Sequence, residues 1–157
     1  MLVKLVPEQI SQNWKAYIEP AIKGSVPLDL LTSKVKLVNI LEALLSGSMD
    51  CWWSVVEHGG EKQVLACIIT TIVQDFDTKT KILRIFSLYG FTDIPVGEWQ
   101  QGLRTILAYA KASSCELIDG FTENPSIISF VKALGGDTRY TYIVVEVKNE
   151  PNLERPL

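Results

Sequence analysis

Apolar positions along the chain recur in two periods, and the switches between those periods mark its elements. Met1 to Val6 is a short apolar run that predicts a strand, stopped by Pro7. From Glu8 to Ile22, Ile10, Trp14, Tyr17, Ile18 and Ala21 repeat at helical spacing. Pro7 suits a first helical turn, where its missing N–H is not needed, whereas Pro20 predicts a break. Gly24 to Pro27 reads as a loop. Ser33 then stands as N-cap to a second helix with an apolar face of Leu37, Val38, Leu41, Leu44 and Leu45, closed by Ser46-Gly47-Ser48. Both helices are amphipathic, so each is expected to cover a sheet.

The period then shortens. Cys51 to Glu57, Gln63 to Val73 and Ile82 to Phe91 are β-rich runs separated by Gly59-Gly60-Glu61 and by a polar turn from Asp75 to Thr80. Connections this short predict an antiparallel meander. Val64 to Val73 is apolar at both alternating sets of positions, which places it mid-sheet with both faces covered. Helical spacing returns from Glu98 to Ser113, with Trp99, Leu103, Ile106, Leu107 and Ala110 on one face. Cys115 to Phe121 is a short strand. Asn124 and Pro125 open a last helix, with Ile127, Ile128, Val131 and Leu134 inward and Gly135-Gly136 at its end. Arg139 to Val147 alternates as a final strand, and residues 149–157 read as a tail after a single domain over 1–148. The order β-α-α-β-β-β-α-β-α-β predicts an α/β domain, a mixed central sheet with helices on both faces.

Composition narrows the function classes. Of 157 residues 47% are hydrophobic, and 15 basic against 18 acidic side chains leave a net charge of −3. That balance argues against binding nucleic acid through phosphate neutralisation. No apolar stretch approaches the ~20 residues of a membrane span. One histidine and three scattered cysteines give no zinc spacing and no disulfide framework, so a cytoplasmic or virion-enclosed, reducing setting is expected.

The order of elements over residues 1–148 resembles the GNAT superfamily of acyl-CoA-dependent N-acyltransferases. The sharpest local match is Asn124 to Gly135, where an Asn precedes a helix that ends in glycine. With Ile128, Phe130 and Lys132, this segment looks most like short degenerate GNAT-like proteins of bacteriophages, some of them in the virion or its assembly. The resemblance implies acetyl-CoA as cofactor if the protein is active, held where the fourth strand meets the next helix. In the family that loop is of the type Gln/Arg-x-x-Gly-x-Gly/Ala, whose bare amides cradle a diphosphate. Here Gly90 to Gly102 contains no Gly-x-Gly, carries Asp93 and Glu98, and has no basic residue between Arg84 and Arg104. The family's tyrosine acid falls near Phe130 or Val131, and Tyr89, Tyr140 and Tyr142 lie elsewhere in the pattern.

These departures favour a role in binding or virion assembly, through a protein partner or self-association. The alternative is an acetyl-CoA-dependent N-acetyltransferase with a non-standard cofactor loop. In that case Glu57 and Glu98 are the candidate bases, and Leu88, Tyr89, Gly90, Phe91, Gly102, Phe121 and Asn124 the candidate cofactor contacts, with Gly90 placed for close approach or a bulge. His58 sits at a hairpin tip and reads as an exposed loop residue. Cys67 reads as core, and Cys115 has no nearby histidine. Trp52 and Trp53 must point to opposite faces, so one is core and the other meets the opposite helix layer or a partner.

Overall fold

The computed structural model describes residues 1–144 and divides into two units, Met1–Phe121 and the residues from Thr122 onward. In the first unit, five strands form one sheet in the order β1-β2-β3-β4-β5: Leu2–Lys4, Met49–His58, Glu61–Gln74, Lys81–Gly90 and Leu117–Gly120. The first three pairings are antiparallel and β4–β5 is parallel. The predicted meander is therefore present. Its middle strand is buried without interruption from Leu65 to Thr70, because helices pack on both faces.

One layer is built from α1 (Pro7–Asn13), α2 (Glu19–Ser25) and α3 (Lys34–Ser46). Ile10, Trp14, Ile18, Ile22, Ile40 and Leu44 bury against Cys51, Cys67 and Ile69. Each aliphatic side chain so buried contributes about 1.5–3 kcal/mol. On the opposite face α4 (Val96–Ala112) sets Ile106 and Ala110 on Leu2, Trp52, Ile68 and Leu83. Trp52 and Trp53 thus serve opposite layers, Trp52 buried on the α4 side and Trp53 packed, partly buried, against the other core.

The break expected at Pro20 takes another form. A π-helical turn over Trp14–Ile18 joins α1 to α2, and the Glu19 N–H reaches back to the Trp14 carbonyl. Proline crowds the carbonyl four residues before it and donates nothing. The wider turn lets the helix continue, with Pro20 in the first turn of α2. On α3 the buried stripe is Ile40 and Leu44, flanked by Leu37 and Leu41, while Val38 and Leu45 face solvent. Leu107 of α4 is likewise exposed. In each helix the predicted stripe is rotated by part of a turn, since periodicity fixes that a face exists before it fixes its centre.

The second unit holds α5 (Pro125–Ala133), started as predicted: the Asn124 side chain accepts the Ser126 N–H at 2.9 Å, and Pro125 is at the first turn. Residues 139–144 form no strand, contrary to the expected final one, and 145–147 lie outside the described residues, as does the expected tail. Alternation specifies a strand only where a neighbouring edge takes its hydrogen bonds.

Candidate functional site

The feature that sets the site is a change of register in β4. Ile69 pairs with Ser87 but Thr70 pairs with Ile85, so Phe86 is an extra residue without a cross-strand partner. The parallel ladder to β5 runs from Ile82–Leu117 to Ile85–Gly120 and stops there. The bulge therefore begins where the ladder ends. A bulge bends and over-twists its strand, and from Phe86 to Gly90 the outer edge of β4 carries no paired strand among the described residues. The sequence suggested a bulge at Gly90. It lies four residues earlier, where the one-residue slip is taken up beside the last parallel pair.

The closed end of this gap is tightly made. A Cβ on Gly120 would stand 3.1 Å from the Ile85 carbonyl oxygen and 3.3 Å from its Cβ, so a larger residue there would push the strands apart by a few tenths of an ångström. One pair further in, Arg84 Nε donates to Asp119 Oδ1 at 2.9 Å and Nη2 to Oδ2 at 2.7 Å. The guanidinium also lies 5.5 Å from the Phe121 ring centre. The hydrogen bond to Asp119 raises the Arg84 pKa further, against the pull of partial burial. Sequence reading missed this pair. A separation of 35 positions along the chain hides it until the parallel register is known.

Of the residues expected to line the gap, Leu88 is packed towards α4 and Tyr89 towards α2, where its ring lies against Gly24. Next to it the Ser25 and Ser87 hydroxyls meet at 2.6 Å. Phe91 donates its N–H to the Leu65 carbonyl at 2.8 Å and packs edge-on against Tyr17 and Tyr89. These side chains are committed to the core, so what the stretch offers along its free edge is backbone. Phe121 stacks on Arg84, and Asn124 is spent as the cap of α5 in the second unit.

The start of α4 also differs from expectation. Gly102 is the seventh residue of the helix and has no part in its terminal amides, whereas Gly97 lies in the first turn with open space where a Cβ would be. Pro95 is the N-cap and brings no capping side chain. Its carbonyl accepts the N–H groups of Glu98 and Trp99, which leaves those of Val96 and Gly97 without a partner among the described residues. Glu98 sits in the same first turn. Its carboxylate is ion-paired with the Met1 ammonium at 2.9 Å.

Glu57 and Glu98, the two candidate bases, come together with His58, Lys62, Val55 and Met1 around a cavity of about 320 Å³. The cavity lies over β2. Ser54 pairs with Ala66 and Ala66 with Gly90, so two inter-strand spacings, about 10 Å, separate this part of β2 from β4. The carboxylates converge, but away from the free edge. His58 is exposed at the hairpin tip as expected. Among the described residues no cluster of three metal-ligating side chains occurs.

The thiols take no part. Cys51 and Cys67 are fully buried with their sulfurs 3.8 Å apart, and the neighbouring thiol together with burial pushes the Cys51 pKa up. Only thiolates react readily. Titration of the folded protein with Ellman's reagent should therefore modify Cys115, which is half-buried, and leave the other two protected until unfolding. Two or more rapidly reacting thiols would contradict this arrangement.

The sequence matches no known family model and no curated protein. Solved structures do match. A predicted acetyltransferase from Clostridium acetobutylicum, solved with acetyl-CoA, superposes with a TM-score of 0.65 at 15% identity, over 94% of this chain and 96% of that one. The fold is that of the GNAT acyltransferases. A ribosomal-protein-alanine N-acetyltransferase from Brucella melitensis biovar Abortus 2308 gives 0.60 at 10% identity, over 93% and 99% of the two chains. An aminoglycoside N-acetyltransferase in complex with CoA gives 0.61 at 12%, over 93% and 98%. The GNAT fold accounts for the mixed sheet and both helix layers, while identities this low carry nothing about substrate.

Proposed function

We propose that this chain is an N-acyltransferase that draws its acyl group from a coenzyme A thioester. The observation that carries the reading is the free edge of β4 from Phe86 to Gly90, opened by the bulge at the last β4–β5 pair. An unpaired strand edge is a row of backbone donors and acceptors ready for an extended, amide-bearing chain. The pantetheine arm is such a chain. The amides of Val96 and Gly97 at the start of α4 have no partner among the described residues and suit a diphosphate. Glu98, which the sequence set against such binding, has its charge engaged by the Met1 ammonium, so Asp93 is the acidic side chain left in the loop. The residues fit the cofactor through backbone groups rather than through basic side chains.

A thioester supplies an activated acyl group, its C–S bond broken as a C–N bond to the amine forms. Charge then builds on the acyl oxygen, and a backbone N–H released from the ladder by the bulge is the donor such a charge needs. Glu57 and Glu98 serve as proton acceptors only through intervening water, given the width of β3 between them and β4. A binding or virion-assembly role, expected from the likeness to phage proteins, has no observation in its favour: the similar structures named above are acetyltransferases.

The test is binding. Acetyl-CoA at about one hundred times its dissociation constant should stabilise the chain by about 2.7 kcal/mol, a rise of roughly 5–10 °C in Tm. The same concentration of adenosine diphosphate should do much less. An unchanged Tm at millimolar acetyl-CoA would overturn the reading.

A further inference from the structure

We propose that the outer face of α3 is the contact through which two copies of this chain pair about a two-fold axis, the two helices antiparallel and Val38 at the centre. The buried stripe of α3, Ile40 and Leu44, packs into the core, yet the opposite side of the helix is apolar as well. Val35 is 66% exposed, Val38 51% and Leu45 37%, in a line at helical spacing. The 3₁₀ turn Leu28–Leu31 is tied to the first turn of α3, because Lys36 Nζ donates to the Asp29 carbonyl at 3.3 Å. That turn carries Leu28 and Leu30, both exposed. A helix that covers one layer needs only one apolar stripe, and a second one in water marks a surface meant for contact.

The charges beside this stripe select the occupant. Lys34 and Glu42 lie four residues before and four after Val38, hence about 40° to either side of it around the helix. Both are exposed, and neither has a hydrogen bond or ion pair among the described residues. Their order is the reverse of what the helix itself favours. The first turn of α3 has no acidic residue and the last no basic one, so a lysine stands at the positive end of the dipole. In a two-fold pair of antiparallel helices centred on Val38, the position four before the centre on one copy is level with the position four after it on the other. Each Lys34 then meets Glu42 of the other copy, twice over, while Val38 packs on Val38. Leu45, about 10 Å further along, reaches towards the leucines of the other copy's 3₁₀ turn. Parallel helices about a two-fold axis would instead set lysine against lysine and glutamate against glutamate. The face is self-complementary in one orientation only.

One helix and one turn from each copy make a small contact, so a dissociation constant of about 10–100 µM is expected. Sedimentation velocity on the full-length chain, from about 1 µM to about 1 mM, should show the sedimenting mass double across that range. Val38→Asp places two like charges together on the axis and should weaken pairing at least about tenfold, with the Tm of the monomer little changed because the site is half-exposed. Lys34→Glu and Glu42→Lys should each weaken pairing at least about threefold, since each creates two like-charge contacts per pair. The two together should restore it to within about twofold of the wild type, a rescue that also serves if Val38→Asp does not fold. A chain that stays monomeric at the highest concentration, pairing untouched by a folded Val38→Asp, or a charge exchange that restores nothing would each overturn the proposal. None of these outcomes bears on the acyltransferase reading, which is tested by acetyl-CoA.

Discussion

Gly97→Glu is expected to abolish most of the stabilisation by acetyl-CoA while leaving the free protein as stable or more so. Gly97 is in the first turn of α4, exposed, and nothing lies within 4 Å of where its Cβ would be. A carboxylate there interacts favourably with the helix dipole, by about 0.3–1 kcal/mol, and replacing a helical glycine adds up to about 1 kcal/mol. A diphosphate bound to the same amides would instead meet a like charge within a few ångströms. Binding of acetyl-CoA should fall by at least about tenfold, read by calorimetry, with the unliganded Tm equal to or above that of the wild type. Gly102→Glu, deeper in the helix, should cost far less binding. Equal binding by Gly97→Glu and the wild type would show that the cofactor's diphosphate lies elsewhere.

Asp50→Ala is expected to cost about 2–3 kcal/mol of stability, or roughly 5–10 °C in Tm. Asp50 ties three elements: Lys4 of β1 pairs with it at 2.7 Å, and Tyr109 of α4 donates its hydroxyl to it at 2.5 Å. The Lys4 ammonium also lies over the rings of Trp52 and Tyr109. Removing the carboxylate leaves a half-buried phenol and an ammonium without their acceptor, which costs more than the bonds alone contribute. The network has a pH signature. Burial, then Asp50, raises the Tyr109 pKa; for Lys4, burial pulls the pKa down but the bond to Asp50 outweighs it and the net shift is also upward. Groups with raised folded pKa values contribute fully below their unfolded pKa values, and the contribution is lost as pH rises through the folded ones. The wild type should therefore lose stability above about pH 10, and Asp50→Ala should show a shallower loss there. Parallel Tm–pH curves for the two proteins would contradict the assignment.

Comparison of sequence with structure divides along one line. The strands of the meander, the α4 helix and the Asn124–Pro125 start of α5 are written locally. Alternation, helical spacing and capping residues act over a few positions, and each was legible within about two residues of its observed bounds. Resemblance to the GNAT fold followed from their order. The site was less legible. Glu57 and Glu98 were singled out for their chemistry and do meet at one cavity, yet that cavity lies over β2, two strands from β4. Leu88 and Tyr89 were placed on the right strand, but their side chains went to the two cores.

What the sequence by itself determined is the succession of elements and which of them are covered on both faces, because periodicity records burial. Only the tertiary structure decided where β4 leaves β5, that Phe86 is the extra residue, that Glu98 turns to the Met1 ammonium, and that Arg84 meets Asp119. Each of these depends on the register between segments distant in the chain. A register is fixed by many weak side-chain fits and close backbone approaches summed over a whole sheet, such as Gly120 against Ile85, and no short run of residues contains that sum.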